Sequence, residues 1–139
     1  MAIKQLNPYL NFNGNAEQAI KHYEAALGAT SDNVMRFGDA PGTDVPPAAK
    51  GRVMHARLHI GNGMLMLSDT PPDRPATAGS NAWVCLDFDD AADMKKKFEA
   101  LGKGGNVTMP LQDTFWGATF GMLIDQFGIQ WMFNCEKRK

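Results

Sequence analysis

Two stretches of the chain, YLNFNGNAEQAIKHYEAALGAT (9–30) and VCLDFDDAADMKKKFEALGKGG (84–105), present the same residue types in the same order. With two small gaps, the matched pairs are Leu10 with Leu86, Phe12 with Phe88, Asn13 with Asp89, Leu27 with Leu101 and Gly28 with Gly102. An ordered series of matches of this kind indicates that one supersecondary unit is written twice.

Each copy begins with a short strand that leads into an amphipathic helix. Asn15 with Gln18 predicts a capping box at the start of the first helix, and Gly28 predicts a left-handed residue at its end. In the second copy, Asp90 is the predicted N-cap and Gly102 the predicted stop. The apolar residues between these signals recur at helical spacing, so they are predicted to be core.

Three strand candidates follow each helix. In the first copy they are TSDNVMRF, RVMHARLHI and MLMLSD, and in the second NVTMPLQ, GATFGMLID and IQWMFNC. Gly61-Asn62-Gly63 predicts a tight hairpin because both residues of an Asn-Gly turn adopt positive φ. Asp125 to Gly128 predicts a second turn, with Gly128 left-handed. The predicted fold class is therefore α+β, with two tandem β-α-β-β-β units.

The 139 residues are predicted to form one domain, with unit 1 at about 3–69, a linker at about 70–80 and unit 2 at about 81–136. The linker and the segment 38–51 are rich in Pro and Gly, so neither is predicted to be a regular element. Segment 38–51 is an insertion in the first unit, and both a lid over a binding site and an irregular excursion are open for it.

Composition limits the partners. The 14 Lys and Arg nearly balance the 15 Asp and Glu without forming a basic surface, so nucleic acid is not an expected partner. The sequence contains neither a signal peptide nor an apolar run of membrane-spanning length, which favours a cytoplasmic protein without a membrane partner. Cys85 and Cys135 lie far apart in strand-like runs, where buried thiols are expected.

The repeat and three motifs, NPYLNFNGNAEQAIKHYEAALGA (7–29), MHARLHIGNGMLMLSD (54–69) and QDTFWGATFGMLIDQFGIQWMFN (112–134), resemble the vicinal oxygen chelate superfamily. This superfamily holds glyoxalase I, extradiol dioxygenases, fosfomycin-resistance enzymes and bleomycin-resistance proteins. More narrowly, the motifs look like the PhnB-like branch, which often carries the label 3-demethylubiquinone-9 3-methyltransferase. The resemblance implies a glyoxalase-like fold in which each unit curls into a curved mixed sheet, and the resulting cups pair around a cleft, usually in a homodimer.

In the metalloenzymes of this superfamily, His, Gln or Glu from the first and last strands of each unit hold one divalent ion. The resemblance places Asn7, Met64 or Met66, Trp83 and Met132 at those positions. Thioethers are poor ligands for hard cations and Trp offers no lone pair. We therefore expect no metal and no cofactor.

His55 and His59 are the other candidate ligands. They are four residues apart in a strand, hence about 13 Å apart at a rise of about 3.3 Å per residue, and Arg57 lies between them. Both histidines are expected on the cleft or solvent face. For His55, a hydrogen-bonding or general-base role and a solvent-edge position are both open. Asp69 is either a turn former at a strand end or a carboxylate at the cleft mouth.

The aromatic stretch 112–134 is interpreted as part core and part cleft. Trp131 is predicted to be core, whereas the resemblance suggests that Phe115 and Trp116 face the cleft rim. The candidate ligand-binding residues are Asn7, Tyr9, His55, Trp83, Gln112, Asp113, Phe115, Trp116 and Met132.

An apolar, aromatic cleft with few polar groups suits a planar or amphiphilic small molecule. The hypothesis is a metal-independent small-molecule binding protein. The alternatives are a glyoxalase- or dioxygenase-type metalloenzyme and the methyltransferase of the PhnB-like label, although no glycine-rich nucleotide-binding turn follows a strand. A metal-free acid–base enzyme using His55 or Asp113 also stays open, so the sequence does not decide whether the protein is an enzyme.

Overall fold

The computed structural model of the chain describes residues 2–39 and 45–137. These residues form two compact units, Met1–Thr77 and Ala78–Lys139. The division lies inside the predicted linker. Residues 70–77 of that linker belong to unit 1, and the Asn13 side chain connects them to it by donating to the Ala76 carbonyl at 2.9 Å and accepting from the Ala76 amide at 2.7 Å.

Unit 1 is a four-stranded mixed sheet with one helix. Its elements are β1 (Tyr9–Phe12), α1 (Ala16–Leu27), β2 (Thr30–Arg36), β3 (Val53–Ile60) and β4 (Gly63–Asp69). The strand order is β1-β4-β3-β2, with β1 parallel to β4 and the other pairs antiparallel. Of the insertion 38–51, the described residues include two short 3-10 turns, Phe37–Asp39 at its start and Pro47–Ala49 near its end. The lid proposed for 38–51 falls in part on residues 40–44, which lie outside the described residues.

Unit 2 repeats this arrangement. Its elements are β5 (Val84–Phe88), α2 (Ala91–Gly102), β6 (Asn106–Asp113), β7 (Ala118–Ile124) and β8 (Gln130–Glu136). The strand order is β5-β8-β7-β6, again with one parallel pair, β5 with β8. Pro110 is tolerated in β6 because β6 is an edge strand. The predicted α+β fold of two tandem β-α-β-β-β units is confirmed.

The core of each unit lies between its helix and one face of its sheet. The largest fully buried side chains are Tyr23, Val53, Leu58 and Leu67 in unit 1 and Met94, Leu101, Leu123, Trp131 and Phe133 in unit 2. Burial of each such side chain stabilises the fold by roughly 1.5–3 kcal/mol. The prediction that Trp131 is core is confirmed, and its indole N–H donates to the Asp125 carboxylate at 2.9 Å.

The predicted capping box of α1 is wrong. The Asn15 side chain makes no capping hydrogen bond, and the carboxylate of Asp69 takes its place from the end of β4. Asp69 accepts from the backbone amides of Gly14 at 2.8 Å, Ala16 at 2.9 Å and Val53 at 2.9 Å, and is only 3% exposed. A buried carboxylate with three amide donors is a structural group, so Asp69 is not at the mouth of a cleft.

Two details of the turns also differ from the predictions. β3 and β4 are joined by Gly61, which has a φ of 55°, and Asn62, which is not among the residues with positive φ. Glycine at the first central position is typical of a type II′ turn, so the prediction of two positive φ angles is wrong. Helix α2 includes Gly102, and the left-handed glycine after it is Gly104, with φ 77°.

The remaining end signals are confirmed. Gly28 ends α1 with φ 69°, and Gly128 is left-handed with φ 90°. Asp90 caps α2 by accepting from the amides of Ala92 and Asp93.

Candidate functional site

In each unit the helix covers one face of the sheet, and the other face, the open face, carries no helix of that unit. Strand pairing assigns side chains to the open face, because residues directly opposite each other point to the same side. One row across the open face of unit 1 consists of Tyr9, Met66, Arg57 and Asp32, each the Cα partner of the next. His55 and His59 lie on the same face, since each is two residues away from Arg57 along β3. The open face of unit 1 is therefore rich in polar and ionisable groups.

Tyr9 and His55 are two predicted site residues that the structure brings together. The Tyr9 hydroxyl lies 3.5 Å from Nδ1 of His55, and the two ring centroids are 6.0 Å apart. Tyr9 is thus the neighbour of His55 on this face, and the functional role of His55 stays a prediction. Asn7 stands two residues before Tyr9, and its side-chain oxygen accepts a hydrogen bond from Gln5 at 2.7 Å.

The sequence did not reveal Asp32, which organises the other end of this face. Its carboxylate lies 2.7 Å from Nε2 of His59 and 2.9 Å from Nε of Arg57. The hydrogen bond with His59, followed by the interactions with Arg57, lowers the pKa of Asp32 below its usual 3.8. The only sequence signal was a single carboxylate in the strand candidate TSDNVMRF. His59 is held within this ion-paired group.

The open face of unit 2 has an apolar row at the place where the open face of unit 1 has an ionic one. Its corresponding row consists of Cys85, Met132, Met122 and Met109, each again the Cα partner of the next. The neighbouring row contains Gln112, Phe120, Asn134 and Asp87. Asn134 donates to Asp87 at 3.1 Å, so the few polar groups of this row are partly paired with one another.

An aromatic cluster borders the open face of unit 2. Phe115 and Trp116 lie in the turn between β6 and β7 and are 98% and 56% exposed. The Trp116 ring packs edge-to-face against Phe115, with centroids 5.1 Å apart, and against Phe120, with centroids 5.9 Å apart. Because Phe120 pairs with Gln112, the structure brings Gln112, Phe115 and Trp116 together, with Met132 in the adjacent row.

Asp113 and Trp83 stand apart from this cluster. Asp113 pairs with Thr119 on the other side of β6 from Gln112, and its carboxylate lies 2.8 Å from the Lys137 ammonium. That ammonium lowers the pKa of Asp113 below its usual 3.8, which makes the carboxylate a weak base. Trp83 is partly buried immediately before β5, two residues before Cys85.

The two cysteines have different environments. Cys135 is buried as predicted, but Cys85 is exposed, and that prediction is wrong. Cys85 lies on the open face of β5, as its pairing with Met132 shows, and no helix of unit 2 covers it. Burial of its sulfur by neighbouring side chains, followed by the charge of Asp87, raises the pKa of the Cys85 thiol above its usual 9.0.

The donors at the superfamily's metal-ligand positions do not fit a hard divalent ion. Asn7 already accepts from Gln5, and the other positions present the thioethers of Met64, Met66 and Met132 and the ring of Trp83. Within residues 2–39 and 45–137, no three or more His, Cys, Asp or Glu side chains are grouped so that they could hold a metal ion.

A groove of about 570 Å³ lies in unit 2 at the start of α2, and two of its lining residues, Thr119 and Lys137, contact the carboxylate of the predicted residue Asp113. Its lining residues are Asp89, Asp90, Ala91, Thr119, Cys135, Glu136 and Lys137. The carboxylates dominate its charge, and the N-terminal amides of α2 are already satisfied by Asp90. This groove offers no free helix terminus to an anion.

A family model matches residues 5–133, and its description is the glyoxalase/bleomycin resistance protein/dioxygenase superfamily. The chain belongs to this superfamily. It is 33% identical to protein YjdN of Escherichia coli K12 over 146 residues, which cover 96% of this chain and 97% of YjdN. Its fold matches that of protein PA1353 from Pseudomonas aeruginosa with a TM-score of 0.87 and 43% identity, covering 98% and 100% of the two chains.

A third similar structure is a Bacillus cereus PhnB protein described as a putative 3-demethylubiquinone-9 3-methyltransferase. The match has a TM-score of 0.70 and 22% identity, and covers 95% of this chain and 99% of that one. At this identity the likeness shows the fold alone. The family resemblance predicted from the motifs is confirmed.

Among the described residues, no helix combines the length and the apolar character that crossing a membrane requires.

Proposed function

We propose that this member of the superfamily is a metal-independent binding protein for a planar or amphiphilic small molecule, and that the ligand lies on the open face of unit 2 beside Trp116. The observation that carries the proposal is the contact of Trp116 with Phe120, which extends an exposed aromatic turn onto the open face of the sheet, next to its row of methionines. Large aromatic rings are rarely this exposed without a partner to cover them.

The composition of that face supports an apolar ligand with a polar edge. Met109, Met122 and Met132 offer flexible, polarizable side chains that adapt to the shape of a ligand. Gln112 and Asn134, on either side of Phe120, supply hydrogen-bonding groups next to the apolar row. A flat ring stacked on Trp116 would thus have apolar contacts on its face and polar partners at its rim.

Metal independence is supported by the donors at the superfamily's ligand positions, which do not suit a hard ion. Binding by shape and apolar contact requires no metal. The low pKa of Asp113 weighs against an acid–base enzyme built on that carboxylate. The proposal includes a homodimer, as the resemblance implies, and a cytoplasmic location, and sedimentation equilibrium of the purified chain tests the dimer.

The test is a titration with 1-anilinonaphthalene-8-sulfonate, a planar amphiphile whose own fluorescence rises on binding. Replacing Trp116 with Ala removes an aromatic contact, which is equivalent to about 2 kcal/mol, so the dissociation constant should rise roughly 30-fold. The matched control is Val34→Ala, an exposed apolar residue of unit 1 that is 41% exposed. This control should change the constant less than twofold.

Equal binding by wild type and Trp116→Ala would contradict the proposed position of the ligand. Failure of the wild-type protein to bind this probe and a panel of planar amphiphiles at millimolar concentration would contradict the proposed function. Far-UV circular dichroism of each variant verifies that the fold is retained.

A further inference from the structure

The charges on the open face of unit 2 have one sign. The strands β5, β6, β7 and β8, all of whose residues the structure describes, contain no Lys, Arg or His. Strand pairing places two acidic residues on the open face, Asp87 of β5 and Glu136 of β8. The third acidic residue of these strands, Asp113, lies on the other side of β6 and is paired with the ammonium of Lys137. The open face of unit 2 therefore attracts cations and repels anions.

One of these carboxylates lies close to the aromatic cluster. Phe120 is the Cα partner of Asn134, and Glu136 follows two residues further along β8, which makes it the diagonal neighbour of Phe120. Diagonal neighbours across an antiparallel pair are about 7–8 Å apart, within reach of aromatic and long side chains. The backbone amide that follows Glu136 also donates to the carbonyl of Gly117 at 2.9 Å. The end of β8 thus lies beside the turn that holds Trp116.

A groove of about 520 Å³ adjoins this carboxylate, and its lining residues are Asp87, Phe88, Asp89, Asn134, Glu136 and Lys137. Asp87 accepts from Asn134 at 3.1 Å through Oδ1 alone, and Glu136 is exposed. Lys137 is the basic member of the lining, and its ammonium lies 2.8 Å from the Asp113 carboxylate. The groove is therefore a negatively charged space next to the aromatic rings, with a volume typical of small-molecule sites.

Rings and carboxylates favour the same charge on a ligand. The face of an aromatic ring attracts a cation through its quadrupole, and Trp does so most strongly. A positively charged nitrogen close to Trp116 would interact favourably with the ring and with the Glu136 carboxylate. A negatively charged group at the same place would be repelled by both, and an uncharged group would gain neither interaction. The site should therefore discriminate between ligands of the same shape by their charge.

We propose that the ligand of unit 2 is a planar aromatic compound that carries a positively charged nitrogen, either a protonated amine or a quaternary ammonium group. Its ring lies against Trp116 and Phe120, and its nitrogen points towards Glu136 and Asp87. The inference rests on the proposed function, because it names the chemical class of the ligand for that same face.

The test compares three compounds that share a naphthalene ring and a short side chain: 2-(1-naphthyl)ethylamine, which is an ammonium ion at pH 7, uncharged 2-(1-naphthyl)ethanol, and anionic 1-naphthylacetate. Each is titrated against the full chain loaded with N-phenyl-1-naphthylamine, an uncharged dye whose fluorescence falls on displacement. The amine should bind at least tenfold more tightly than the acetate, with the alcohol between them. Raising NaCl from about 0.05 to about 0.5 M should reduce the difference, because salt screens exposed charges.

Two variants locate the charge that discriminates. Glu136→Gln should reduce the preference for the amine over the acetate at least threefold, while the affinity for the alcohol changes less than twofold. The matched control is Glu99→Gln, the same substitution with the same change in net charge. Glu99 is exposed on α2, which covers the opposite face of the sheet, so the preference should change less than 1.5-fold. Far-UV circular dichroism verifies that both variants retain the fold.

Three results would overturn the inference, and the last of them is distinct from the others. Displacement of the dye by the amine and the acetate at equal concentrations would show that the face does not select a charge. Equal changes in Glu136→Gln and Glu99→Gln would show that the preference comes from the net charge of the chain and not from this face. Failure of the wild-type chain to bind the dye and all three compounds at millimolar concentration would contradict the proposed function itself, and the inference with it.

Discussion

Replacing Asp69 with Asn should destabilise the protein far more than the same replacement at Asp90, although both carboxylates serve a helix N-terminus. In Asp69, Oδ1 accepts from Gly14 and Ala16 while Oδ2 accepts from Val53. In Asp90, a single oxygen, Oδ1, accepts both capping bonds. An asparagine can reproduce the bonds of one oxygen but not those of two.

The magnitude follows from these bonds. In Asp69→Asn the new amide NH₂ would face the backbone N–H of Val53, so one buried hydrogen bond is lost and the other two lose their charge. The expected cost is about 2–3 kcal/mol, out of a total stability of about 5–15 kcal/mol for a domain. Asp69→Ala leaves three buried amides without an acceptor and should cost about 3–6 kcal/mol. Asp90→Asn should cost less than about 0.5 kcal/mol, because Asn and Asp are equivalent at an N-cap.

The assay is urea denaturation at pH 7 followed by far-UV circular dichroism, with free energies extrapolated linearly to zero urea. Hydrogen exchange identifies the site of the effect. In Asp69→Asn the amides of Gly14, Ala16 and Val53 should exchange faster, and that of Ala92 should not. Equal costs for Asp69→Asn and Asp90→Asn, or unchanged exchange at Val53, would refute the assigned role of Asp69.

Three further predictions follow from other described contacts. The pKa of Asp32 is lowered in the folded chain. The stabilising contribution of this carboxylate is therefore complete above its unfolded pKa of 3.8 and is lost as pH falls through the folded pKa. The melting temperature of Asp32→Asn should depend less on pH between 2 and 5 than that of the wild type. Trp131→Phe removes the hydrogen bond to Asp125 and opens a small cavity, so urea denaturation should show a loss of about 2–4 kcal/mol. Maleimide should modify Cys85 in the native chain and Cys135 only after unfolding, as peptide mass spectrometry can verify. The rate of modification at Cys85 should still rise with pH at pH 9.0, because the pKa of its thiol lies above that value.

The sequence was sufficient for the fold because its signals are local. Helical spacing, the cap at Asp90 and the left-handed glycines Gly28 and Gly128 each depend on a few neighbouring residues, and all of them are confirmed. The repeat then supplied the topology, since two copies of one unit restrict the arrangement of the strands. The family resemblance likewise placed Trp131 in the core and Met132 on the opposite side of the last strand, and the structure shows Trp131 buried and Met132 on the open face.

What the sequence did not supply is non-local. Asp69 caps a helix that begins 53 residues earlier, whereas the residues next to the helix by themselves favour Asn15 as the cap. Asp32 acquires its role only when β2 lies beside β3 and places it next to Arg57 and His59. Such contacts depend on register, and a strand's own residues do not specify which partner lies opposite.

The two units share one fold but differ in the side chains on the open faces of their sheets. Corresponding rows cross the open faces in the same strand order: Tyr9, Met66, Arg57 and Asp32 in unit 1, and Cys85, Met132, Met122 and Met109 in unit 2. The faces under the helices are apolar in both units, because packing and burial impose the same requirement on each. The open faces carry no such requirement, so one can hold an ion-paired carboxylate and the other a line of sulfur atoms without a change of topology. Substitutions in these two rows should therefore alter binding with little loss of stability, whereas substitutions one residue along the same strands, at Leu58 or Trp131, should destabilise the unit that contains them.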